Sequence, residues 1–192
     1  MRPGEPVALS LVPERMERPS QRLCRLLEPL HAELRTCARR LCRSTADGDD
    51  LFQEAALRAL GKIDMLDSEE AFRAWFYRVL LSVHRNRVKR SFWSRLVPIG
   101  DREPAGEPTG DVGGAERIRL ALASLPVEQR EAIVLHDIQE MSVEEIADVQ
   151  GVSESAVKSR LARGRKQLRS IYKKRFGVID LATEALVPGG SP

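Results

Sequence analysis

The stretch "MSVEEIADVQGVSESAVKSRLARGRKQLRS", Met141–Ser170, decides how the rest of the chain is read. Ser142 stands where a hydroxyl caps a short helix whose apolar side is Val143, Ile146 and Ala147. Gly151 falls at the turn, where the backbone commonly needs a positive φ. Ser153 caps a second helix, and Val157, Leu161, Gly164 and Leu168 follow its inward face. Ala147, Gly151 and Val157 together match helix-turn-helix spacing: a small residue for close packing, a turn glycine and a core residue in the second helix.

The outward face of that second helix carries Ser155, Lys158, Ser159, Ala162, Arg163 and Lys166. Short side chains near its N-terminal end let the backbone approach base edges, while long basic ones reach phosphates. Arg160, Arg165, Arg169, Lys173, Lys174 and Arg175 extend the positive field, and Glu154 is the only acid between Ser153 and Arg175. Lys and Arg also suit helices for purely structural reasons. That reading requires interspersed acidic partners, which the stretch lacks, so the spacing predicts a helix that enters the major groove of DNA.

Outward from this motif, the 192 residues suffice for one ordinary domain or two small ones. An apolar fraction of 42% supports a core, and the net charge of +3 conceals 31 basic residues against 28 acidic ones. The charges are segregated: "DGDD" and "DSEE" against "RNRVKR" and "KSRLARGRKQLRSIYKKR", as expected for partners of opposite sign. Cys24, Cys37 and Cys42 form neither a disulfide framework nor a CxxC zinc pattern, and a site pairing them with His31 has poor spacing. They read as small buried or half-buried thiols in a reducing cytoplasm. No apolar run approaches the ~18 residues of a membrane span, and no signal-peptide core opens the chain. A cytoplasmic protein without membrane insertion is expected.

The whole chain reads as all-α. Leu23, Leu26, Leu27, Leu30, Leu34, Ala38 and Leu41 form a helical stripe that Pro29 either opens or kinks. A second helix is expected after "STADGDD", with Leu51, Phe52, Ala55, Ala56, Ala59, Leu60 and Ile63 inward. A third is expected after Ser68 as N-cap, with Phe72, Trp75, Phe76, Val79, Leu80 and Val83 on its inner face. Phe92 and Trp93 beyond it either pack the end of the domain or face DNA. Pro98–Glu116, "PIGDREPAGEPTGDVGGAE", is rich in Gly, Pro and acid and reads as a flexible linker. Helical periodicity then resumes, broken at Pro126. The expected divisions are a tail over 1–20, a helical domain over 21–95, a linker over 96–115, a second helical domain over 116–175 and a tail over 176–192.

"DGDDLFQEAALRALGKI" and "AFRAWFYRVLLSVHRNRVKR" resemble region 2 of the extracytoplasmic-function (ECF) group of sigma-70 family initiation factors. "LPVEQREAIVLHDIQEMSVEEIADVQGVSESAVKSRLARGRKQLR" resembles their region 4. The resemblance covers nearly everything from Leu26 to Tyr172, in the right order, with a family-like linker and no region 3 domain between. It implies a dissociable subunit of bacterial RNA polymerase that reads −10 and −35 promoter elements and aids promoter melting, without a catalytic site, metal or cofactor of its own.

By the same resemblance, "DDLFQEA" is the surface that docks on the clamp helices of the β′ subunit, with the β subunit also in contact. Asp47, Asp49, Asp50, Gln53 and Glu54 set acceptors near one helix start, where a basic coiled coil is met by Arg–carboxylate bonds. Placement to suit the helix dipole accounts for the three aspartates but not for Gln53 and Glu54. Ser82–Arg90 corresponds to the family's −10 reading segment. Ser82, His84, Arg85 and Asn86 offer the short polar and cationic groups that capture of an unstacked base requires, and Arg87, Lys89 and Arg90 track the backbone. Trp75 and Phe76 share the core stripe and read as packing residues. The −35 element falls to Lys158, Ser159, Ala162, Arg163 and Arg165, flanked by Ser155 and Lys166. Gln150 departs from the family's usual Leu, implying looser packing or a partner contact. An anti-sigma factor is the implied regulator.

The competing reading is a stand-alone helix-turn-helix regulator with an N-terminal sensing domain. An enzyme has little support: His31, His84 and His136 are scattered, and neither HExxH nor a glycine-rich phosphate loop occurs.

Overall fold

The structure, a computed structural model, describes residues 17–96 and 113–177. Among them there are helices and turns and no strand. Pro19 occupies the first turn of α1 (Pro19–Leu27), where its missing N–H costs nothing. Pro29 breaks the stripe into two helices: a 3₁₀ turn, Glu28–Leu30, separates α1 from α2 (His31–Leu41).

α3 (Thr45–Leu60) starts earlier than expected, inside "STADGDD" rather than after it. The reason is Ser44, whose hydroxyl accepts from the Asp47 N–H at 3.0 Å. Gly48, also in that first turn, lies flat on α2. A Cβ there would sit 2.4 Å from the Arg39 Cα, so only glycine permits this approach of the two helices. A 3₁₀ turn at Ile63–Met65 leads to α4 (Phe72–Leu96). Ser68 is not its N-cap: turns from Ser68 and Glu69 intervene before Phe72, and the Ser68 hydroxyl bonds the Glu70 carboxylate. Phe52, Phe72 and Phe76 cluster with ring centroids 5.8–6.1 Å apart, and Trp75 packs half-buried beside Phe72. Burial of each such side chain contributes about 2 kcal/mol.

The second half begins with α5 (Gly114–Ala123), inside the stretch read as linker; the remainder of that stretch, 97–112, lies outside the described residues. Pro126 caps α6 (Val127–Ile133), which passes into a π-helical turn at Val134–Ile138. Glu140 then takes a left-handed φ of 54° to reach α7 (Val143–Gln150). Both helix-turn-helix caps form as expected. Ser142 completes a capping box with Glu145, Gly151 adopts φ 69°, and Ser153 accepts from Ala156 N–H at the start of α8 (Glu154–Phe176). Val157, Leu161 and Gly164 are buried and Leu168 packs beside them.

The halves share one continuous core. Arg130, buried, donates to the Leu41 carbonyl at 2.7 Å and so caps the C-terminal end of α2 from the opposite half. Tyr77 Oη donates to Glu33 at 2.6 Å and lies 3.1 Å from the Gln139 side chain. Arg78 pairs with Asp148 at 2.9 Å, and Arg119 Nε donates to the Arg43 carbonyl at 3.0 Å.

Candidate nucleic-acid interface

α8 presents an open basic face. Ser155, Lys158, Ser159, Ala162, Arg163 and Lys166 are all exposed. Their exposure follows from periodicity, since Val157, Leu161 and Gly164 take the inward third of the helix. Gly164 lets α8 settle on α6: a Cβ there would meet Ile133 Cδ1 at 2.9 Å and Gln129 Cβ at 3.2 Å. Lys158 is paired one turn back with Glu154 at 3.2 Å, and Arg163 Nε donates to its own helix at Ser159 O, 3.3 Å. Arg165 differs from its neighbours. Its guanidinium is half-buried and held by Asp137 and His136 from the π turn, with Nε 3.1 Å from Asp137 Oδ2. The acidic partner that α8 lacks near Arg165 is thus supplied from another element, which no local pattern signals.

Gln150 is buried rather than loosely packed. Its amide donates to Glu128 O at 3.3 Å and accepts from Arg160 Nη1 at 2.7 Å, joining α7 to α6 and α8. A leucine would fill the space but leave Arg160 without this acceptor.

On α4 the expected reading segment divides in two. Ser82, Asn86 and Lys89 are exposed and follow one another at helical spacing, with Arg90 beside them. His84 and Arg85 instead turn toward the second half of the chain. His84 is 3% exposed, and its Nδ1 lies 3.2 Å from Oε1 of Glu131, a carboxylate with no exposure at all. Arg85 Nε and Nη2 donate to Glu131 Oε2 at 3.0 and 2.6 Å. Phe92 and Trp93 are open, 60% and 66% exposed, with rings edge-on at 6.1 Å.

The acceptors of α3 also divide. Asp47, Asp50 and Gln53 are exposed. Asp49 is clamped by Arg35 and Arg39, each at 2.8 Å, and the Arg39 and Arg35 guanidiniums hold its carboxyl well below the ordinary carboxylate range. Glu54 accepts from Arg87 at 2.6 Å and Arg90 at 3.3 Å. Burial pulls its carboxyl upward, but the two arginines outweigh that and leave it lowered. Two residues read as backbone-tracking are therefore tied to one read as polymerase-docking. Leu57, beside this face, is exposed as well, a feature the acidic pattern alone did not bring out.

Among the described residues no group of three His, Cys, Asp or Glu is placed to hold a metal ion. His31 stacks edge-on against Phe52 at 5.1 Å. Cys37 is buried and Cys42 half-buried, as expected, but Cys24 is exposed; all three are free. Burial raises the Cys37 thiol and pushes Cys42 up to about 11, so neither is a ready nucleophile. No helix among the described residues is long and apolar enough to cross a membrane.

A half built on α2–α4 with a basic stretch on its last helix, followed by a helix-turn-helix half, defines a class of transcription factor, and family models match both parts. Sigma-70 region 2 matches residues 26–93 and sigma-70 region 4 matches residues 115–168. The chain is 35% identical over 138 residues to the ECF RNA polymerase sigma factor SigM of Mycobacterium tuberculosis, covering 72% of this chain and 70% of that one. It is 34% identical over 139 residues to the sigma factor CnrH of Cupriavidus metallidurans, covering 65% and 73%. Solved structures that share its shape include two complexes. The sigma factor RpoE in complex with the anti-sigma factor NepR, from Bartonella quintana, has a TM-score of 0.59 at 26% identity, over 79% of this chain and 96% of that one. CnrH in complex with the cytosolic domain of CnrY has a TM-score of 0.59 at 27% identity, over 81% and 90%. The chain belongs to the ECF sigma factors of the sigma-70 family and is a promoter-directing transcription initiation factor.

Proposed function

We propose that this factor docks on RNA polymerase core through α3, reads the −35 element with α8 and captures an unpaired −10 base with α4. The observation that carries this reading is the pair of open basic faces on separate halves. One is Ser155, Lys158, Ser159, Ala162, Arg163 and Lys166; the other is Ser82, Asn86 and Lys89. Short polar groups flanked by cations suit base edges beside phosphates on both. Arg165, clamped by Asp137, serves −35 DNA mainly by fixing α8 on the π turn and adding field. Polymerisation chemistry belongs to the core enzyme, and this subunit needs no metal or cofactor.

Asp47, Asp50 and Gln53 are the α3 groups open to the β′ clamp helices, with Leu57 adding apolar contact, while Asp49 and Glu54 shape that face through their arginines. An anti-sigma factor is the expected inhibitor, since the similar sigma factor RpoE is in complex with the anti-sigma factor NepR. Permanganate probing of promoter DNA in the assembled holoenzyme tests the division of labour. Ser82→Ala with Asn86→Ala abolishes melting and leaves duplex −35 binding intact; melting that persists in the double variant refutes the −10 assignment.

A further inference from the structure

We propose that His84 and Arg85 form a phosphodiester-binding pocket, and that Glu131 of the chain's own second half occupies it as a stand-in anion whenever the two halves are closed. The proposal rests on the −10 reading of α4 and adds to it an exchange of one anion for another.

The geometry is that of an oxyanion site. Arg85 offers Nε and Nη2 as a fork to one carboxylate oxygen, at 3.0 and 2.6 Å, and His84 Nδ1 addresses the other at 3.2 Å. Such a fork recognises carboxylate and phosphate oxygens alike. Glu131 is wholly removed from water, a costly state for a carboxylate, and these two side chains of the other half bond it there. Next to it Arg130 anchors the same α6 segment on the Leu41 carbonyl, so the carboxylate is delivered by a fixed helix and not by a loop.

Arg85, on the outer side of the pocket, lies beside the open stripe, and His84 lies behind it toward the core. Arg85 immediately precedes Asn86 and stands three residues after Ser82, so a strand whose base reached Ser82 and Asn86 would run its backbone past Arg85. Such a strand cannot enter while α6 covers His84 and Arg85. Closure of the halves and binding of single-stranded DNA are therefore mutually exclusive at the same nitrogen atoms. The free chain carries its own competitor at high effective concentration, and separation of the halves on polymerase removes it.

The test uses the full chain with a label on exposed Cys24 and another on Gln167→Cys, in a Cys42→Ser background. The distance between labels and the anisotropy of a short fluorescein-labelled single-stranded DNA are read together. Saturating DNA is expected to lengthen the distance in the chain with native Glu131. DNA that binds while the distance stays fixed overturns the proposal, and this arm depends on no substitution at the pocket. Glu131→Gln is expected to lengthen the distance without DNA and to tighten DNA binding roughly tenfold, because a larger fraction is competent. Adding Arg85→Ala to Glu131→Gln removes that gain. On core polymerase, Glu131→Gln and native Glu131 behave alike. A Glu131→Gln chain that opens yet binds DNA no better overturns the exchange. Intact promoter melting in Ser82→Ala with Asn86→Ala overturns instead the −10 reading beneath it.

Discussion

The Arg130 guanidinium donates 2.7 Å to the carbonyl oxygen of Leu41, the last residue of α2, across the boundary between the two halves. That bond comes from Nη1, while Nη2 donates to Ala123 O at 2.7 Å and Leu125 O at 3.1 Å on its own side. One buried cation thus closes the ends of two helices at once. Burial works against its charge, lowering its pKa, so three carbonyl acceptors are the compensation. Arg130→Met keeps the volume and removes the donors. A loss of about 2–4 kcal/mol in urea unfolding is expected, with the halves parting first. A loss below about 0.5 kcal/mol would mean that the buried carbonyls are satisfied without it.

Gly48→Ala tests the α2–α3 approach. Its Cβ would stand 2.4 Å from Arg39 Cα and 2.8 Å from Arg39 N, backbone atoms that move only with the helix. Overpacking of about 1–3 kcal/mol or more exceeds the ~1 kcal/mol that alanine gains in a helix interior, so net destabilisation is expected. Gly61→Ala is the control, because its nearest neighbours are 3.8 Å away. Equal stability changes at the two sites would contradict the close-contact account.

Much of this was legible in the sequence, and the limits are physical. Ser142, Gly151 and Ser153 declare themselves because capping and left-handed turns depend on residues within one turn of chain. The inward faces were legible for the same reason, through periodicity. Gly48 reads as an ordinary residue of an acidic loop until α2 lies across it. Glu131 belongs by pattern to an exposed helix face, and only the arrival of α4 buries it. Asp137 and Gln150 meet Arg165 and Arg160 through tertiary placement that spacing does not encode. Ser68 shows the reverse failure: a sound cap signal was taken up by a turn instead.

Acid should weaken the first half through Asp49. Its carboxyl is held below the ordinary range by Arg39 and Arg35, so the folded state favours the charged form. The contribution is whole above the unfolded value of about 3.9 and is lost as pH falls from there toward the depressed folded value. Asp49→Asn should flatten the acid limb of a stability–pH curve and leave its neutral plateau sloping as before. An unchanged acid limb would assign the acid sensitivity elsewhere.

Polymerase docking is best probed at Gln53, which is exposed, rather than at Glu54, which also restrains Arg87 and Arg90. Gln53→Lys should weaken binding to core polymerase roughly tenfold or more by setting a cation before a basic coiled coil, with helix content unchanged. Unaltered affinity would remove α3 from the docking surface.

Arg163→Ala should weaken −35 duplex binding and lower the magnitude of its salt slope by about one, as for loss of one phosphate contact. Arg165→Ala should change the slope less, because Asp137 already holds much of its charge.

Run-off transcription with purified core polymerase and a randomised promoter library tests the account most directly. Core enzyme with this chain should yield discrete transcripts from templates sharing two sequence blocks at a fixed spacing, and Ser82→Ala with Asn86→Ala should erase selection in the downstream block alone. Transcripts no more selective than those of core alone, or selection by the chain equally sharp without core, would contradict it.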